Sequence, residues 1–101
     1  MNQLSGVQLR LKAGERVRVV IPKFNLEHGT GQVYPNNGLG TVIPHIYEDG
    51  SVVTSFTKGT AWIRLDHPFT RTGLVEKPVR MEVMWIPTWL LQRVKQGTQS
   101  S

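Results

Sequence analysis

Five to seven short antiparallel strands closing into one small all-β barrel, with a long irregular early loop, is the fold class this sequence predicts. Three observations carry that expectation. Apolar and polar residues alternate in the opening segments, Asp49-Gly50 marks a tight hairpin, and the closing segment repeats the alternation of the opening one. The chain has 101 residues and 39% hydrophobic content, with three Trp, three Phe and two Tyr, which is material for one core and not two.

The elements follow in order. Val7-Gln8-Leu9-Arg10-Leu11-Lys12 alternates with the period of a half-buried strand, and Ala13-Gly14-Glu15 turns it. Alternation resumes with Val17, Val19 and Ile21 against Arg16 and Arg18, and ends at Pro22, which has no N–H for a ladder. Residues 23–40 hold Gly29, Gly31, Pro35, Gly38 and Gly40 and read as an irregular loop, with Gln32-Val33-Tyr34 as a short strand inside it. Pro44 between Thr41-Val42-Ile43 and His45-Ile46-Tyr47 implies an edge strand or a bulge. Glu48-Asp49-Gly50 reads as a type I′ hairpin turn, returning through residues 51–56. Ala61-Trp62-Ile63-Arg64-Leu65 is a further strand with Trp62 and Arg64 on one side, and residues 67–78 read as a second loop. Met81, Val83 and Trp85 alternate with Arg80, Glu82 and Met84. A 3₁₀ turn beginning at Pro87 then leads into a short strand through Leu91 and Val94. One domain over residues 1–94 and a polar, disordered tail over 95–101 are expected.

Composition narrows the function classes. The chain has no Cys, which excludes disulfides, thiolate metal sites and a cysteine nucleophile, and fits a reducing compartment. The start has no basic segment followed by an apolar one, and no apolar run reaches a membrane span, so a soluble cytoplasmic protein is expected. The net charge of +5 directs attention to anionic partners. His28, His45 and His67 have no ligand spacing, and no Ser stands on a nucleophile elbow or beside a base. Gly29-Thr30-Gly31 and Gly38-Leu39-Gly40 are followed by no Gly-Lys-Ser/Thr, and read as loop glycines rather than a phosphate cradle. No catalytic residue, metal or cofactor is expected.

The opening Gly14-Glu15-Arg16-Val17-Arg18-Val19 resembles the first strand of SH3-like barrels. The segment Val83-Met84-Trp85-Ile86-Pro87-Thr88-Trp89-Leu90-Leu91-Gln92-Arg93-Val94 is similar to their closing turn and last strand. The resemblance covers about a third of the chain and implies a superfold shared by unrelated functions. Gly31-Gln32-Val33-Tyr34-Pro35 looks like the active-site segment of the type II dihydrofolate reductases, small basic multimeric enzymes. In that family the segment lies just before the final strand. Here it lies in the early loop, so no functional residue is carried over.

Two binding surfaces compete. Trp85 and Trp89 bracket Pro87 beside Ile86 and Leu90, more bulk than one strand face can bury. With Val20, Met84 and Tyr47, out of phase with their strands, they would form an apolar patch for self-association into a homo-oligomer or for a protein partner. Alternatively, Arg10, Lys12, Arg16 and Arg18 form an outward cationic stripe for a phosphate backbone, with Tyr34, Phe24 or Trp62 stacking bases beside it. Cations at such positions also keep strands soluble. The expected function is a non-catalytic binding or assembly module, with nucleic-acid binding as the alternative and a small multimeric enzyme resembling the type II dihydrofolate reductases as a remote one.

Overall fold

A computed structural model of the protein describes residues 10–72 and 77–94. The strands are β1 (Leu11–Lys12), β2 (Arg16–Val19), β3 (Leu39–Val42), β4 (His45–Ile46), β5 (Val52–Val53), β6 (Ser55–Phe56), β7 (Thr60–Arg71), β8 (Val79–Pro87) and β9 (Leu91–Arg93). One short helix, α1 (Lys23–Glu27), follows β2. The fold is all-β: a five-stranded antiparallel sheet in the order β8-β7-β3-β2-β9, with the small ladders β1-β6 and β4-β5 beside it. The start of the first expected strand (7–9) and the polar tail (95–101) lie outside the described residues.

The alternation of β2 does what its period requires. Val17 and Val19 are buried and Arg18 is exposed, while Val19 stands opposite Leu91 of β9. The opening and closing segments are therefore direct neighbours. Pro87 at φ −57° leads into a 3₁₀ turn, Thr88–Leu90, which drops Leu90 into the core and starts β9. Leu11 of β1 faces Phe56 of β6, and both are buried, so this ladder closes one side of the core. The centre is Val17, Val42, Ala61, Ile63, Met84 and Ile86. Gly40 lets β3 lie close to β7: a Cβ there would fall 2.6 Å from Ile63 Cγ2 and 2.7 Å from the Arg64 carbonyl oxygen.

Five expectations are corrected. The segment 23–40 contains α1 and a 3₁₀ turn at Thr30–Gln32, so Gln32-Val33-Tyr34 is not a strand. β2 ends at Val19, before Pro22, and Pro22 instead caps the helix: its fixed φ of −58° suits a helix start and its carbonyl accepts from Leu26 N–H at 2.9 Å. Gly40 belongs to strand β3 rather than to a loop.

The turn at Asp49-Gly50 is not type I′, which needs two positive φ angles. Gly50 has φ 90°, but Asn37 is the one non-glycine residue with positive φ among the described residues. Gly50 N–H donates to the Tyr47 carbonyl and Tyr47 N–H to the Ser51 carbonyl, both at 2.9 Å, which makes a type I turn closed by a glycine bulge.

Residues 67–71 continue β7 instead of opening a loop, because His67-Pro68 falls in a register irregularity between Arg64 and Phe69 where no ladder N–H is needed. Met84, finally, is a core residue at 1% exposure, not part of an exposed patch. Ile63 pairs with Met84 and Trp62 with Trp85, which turns Met84 inward and Trp85 outward. Met81, three residues away, also packs against the core beside Phe69, so no single alternating phase describes β8.

Candidate functional site

The β4-β5 hairpin lies across the outer face of β7 and β8. Trp62 and Trp85 stand opposite each other there, because each follows a core residue by one position on its strand. His45 stacks on Trp62 with ring centroids 5.0 Å apart, and sits 5.1 Å from Trp85. Tyr47 meets the His45 ring edge-on at 4.5 Å. Four rings from three strand regions thus form one cluster, with its buried end at Trp62 and its open end at Tyr47 and Trp85.

The hairpin has two faces. His45 pairs with Val53 toward the tryptophans, and Ile46 pairs with Val52 away from them. Ile46 is 66% exposed and Val52 53%; on the tryptophan side Tyr47 is 47% exposed and Trp85 37%. Two such aliphatic residues side by side on the solvent face of a two-residue ladder gain nothing within the chain; scattered single exposures are ordinary, a contiguous group is not.

Two open grooves meet at Tyr47. One, of about 690 Å³, is lined by His45, Ile46, Tyr47, Glu48, Asp49 and Ser51. The other, of about 380 Å³, runs along Val53, Phe56, Lys58 and Trp85. Hydrogen bonds from the Ser51 hydroxyl (2.7 Å) and N–H (2.9 Å) hold the Asp49 carboxyl below the usual carboxylate range, so that side chain is committed to its turn. Glu48 is exposed and makes no ion pair among the described residues, and the same holds for Lys58.

Of the residues expected at an apolar interface, Tyr47 and Trp85 come together here. Trp89 is 63% exposed on its 3₁₀ turn but lines neither groove. Val20 is half-buried, its N–H donating to the Leu90 carbonyl at 2.7 Å. Ile46 and Val52 were not anticipated, although their equal distance from Asp49 marks them as a cross-strand pair.

The cationic stripe is divided. Arg16 reaches across β3, where its Nη1 donates to Thr41 Oγ1 (2.8 Å) and Asp66 Oδ1 (2.7 Å) while Nη2 pairs with Oδ2. This fork holds the Asp66 carboxyl below its ordinary pKa and raises that of Arg16. Arg10, Lys12 and Arg18 are exposed. The Lys12 N–H donates to Glu15 at 2.9 Å and, with the Arg93 guanidinium, lowers the Glu15 pKa. Tyr34 is half-buried with Arg71 over its ring at 5.7 Å, and Trp62 is covered by His45 and Trp85, so neither stands open beside the stripe.

Among the described residues no group of three or more His, Asp or Glu gathers as a metal site would require, and no helix is long and apolar enough to cross a membrane. Comparison of the chain with protein-family models, with curated proteins and with solved structures finds no match.

Proposed function

We propose that the protein is a non-catalytic binding or assembly module on an SH3-like barrel, and that it docks on protein through the apolar groups exposed around the β4-β5 hairpin, Ile46 and Val52 on its outer side with Tyr47 and Trp85 at its edge. The observation that carries this is the exposed Ile46–Val52 pair on a hairpin whose other face is already full. A hairpin of two-residue strands is marginal by itself. Exposed aliphatic and aromatic side chains rimmed by single charges have the make-up of an interface centre. The barrel assignment is supported by β9 pairing with β2 directly after a 3₁₀ turn. A reducing, cytoplasmic setting suits a chain without cysteine.

The test is light-scattering mass at low and high salt, with absorbance at 260 nm, on the wild type and on Ile46→Ser with Val52→Ser. A docking face predicts association that survives high salt and is lost in the double variant with its fold intact. A monomer that carries nucleic acid at low salt, sheds it at high salt and loses it in Arg16→Glu with Arg18→Glu would transfer the function to the basic stripe.

A further inference from the structure

We infer that the partner on this face is a second copy of the chain, related by a two-fold axis near Tyr47; the inference rests on the docking function proposed above. A two-fold interface places one surface against itself, so every feature on one side of the axis must find its complement on the other. The face meets that condition. Glu48 lines the groove on one side of Tyr47, and Lys58 lines the groove on the other. Both are exposed on turns, and neither has an ion-pair partner among the described residues. The exposed Tyr47 belongs to both grooves, while exposed Ile46 lines the one with Glu48 and exposed Trp85 the one with Lys58.

Rotation about Tyr47 brings Lys58 of each copy to Glu48 of the other and lays the two aromatic centres together. A second copy supplies each of these two charges with its complement. Asp49 does not enter the pairing, because its carboxylate already accepts twice from Ser51. The Glu48–Lys58 contacts lie at the rim, so they set orientation, while the apolar centre supplies affinity.

Charge exchange followed by sedimentation velocity decides the matter, from low-micromolar to near-millimolar protein. Lys58→Glu alone places two acids together at both contacts, and Glu48→Lys alone places two lysines together. Each is expected to weaken the dimer about tenfold, since two contacts change from attraction to repulsion. Glu48→Lys with Lys58→Glu in one chain restores both contacts and should recover the wild-type constant. Mixing the two single variants should give a heterodimer of wild-type affinity, because both of its contacts are again opposite in sign. Both positions are exposed turn sites, and circular dichroism checks that each variant is folded.

A wild type that stays monomeric at every concentration overturns the inference. So does a dimer that is indifferent to the single reversals, or one that mixing fails to rescue. If in that last case the dimer is still lost in Ile46→Ser with Val52→Ser, the docking face stands and only the two-fold arrangement fails.

Discussion

Trp62 and Trp85 face each other across β7 and β8 with ring centroids 4.4 Å apart, yet their circumstances differ. Trp85 opens to solvent, whereas the indole Nε1 of Trp62 is buried and has no acceptor among the described residues. His45 of the β4-β5 hairpin stacks on the Trp62 ring, 5.0 Å between centroids.

That orphan donor makes Trp62→Phe unusually mild. The smaller ring loses packing but removes a buried unsatisfied group whose burial costs about 1–3 kcal/mol. A net loss below about 1 kcal/mol is expected, against about 3 kcal/mol for Trp62→Ala. Urea unfolding of both variants compares them, and equal losses would mean that the N–H has a partner after all.

Gly40→Ala should destabilise by about 1–3 kcal/mol, because its new methyl meets backbone as well as side chain across β3 and β7. Gly50→Ala has open space around it and should lose about 1 kcal/mol, through its φ of 90°. If the two proteins have equal denaturation midpoints, close approach of β3 and β7 is not what Gly40 provides.

Met84→Ala should cost about 2–5 kcal/mol, as for a core side chain, while Trp89→Ser should stay within about 0.5 kcal/mol. Thermal unfolding separates them, and the reverse ranking would put Met84 at the surface and Trp89 in the core.

Acid should weaken the fold. Asp66, Glu15 and Asp49 all have folded pKa values below their unfolded ones, so each contributes stability in full above the unfolded carboxylate range near pH 4. That contribution fades as pH falls through the lower folded values. Breaking the Arg16–Asp66 fork by Asp66→Asn should remove about 1 kcal/mol at pH 7 and little in strong acid, since the pair is partly exposed. A wild type equally stable at pH 7 and pH 3 would contradict this.

What the sequence determined by itself is local. The period of β2, the turn around Asp49-Gly50 and the 3₁₀ turn from Pro87 into β9 each depend on neighbours within a few residues. The outward side of Trp62 and Arg64 was legible for the same reason. Everything else required strands to meet. The inward turn of Met84 depends on its register with Ile63, and the passage of β7 through Pro68 depends on a ladder irregularity that no local pattern announces. The helix at Lys23–Glu27 was hidden because a five-residue helix has too few turns to show a period. The aromatic cluster is the clearest case. His45, Tyr47, Trp62 and Trp85 stand apart in sequence, and they become one cluster only when the β4-β5 hairpin folds onto β7 and β8. That fold-back leaves Ile46 and Val52 outside, because a strand's side chains alternate between two faces and the inner one takes the His45–Val53 pair.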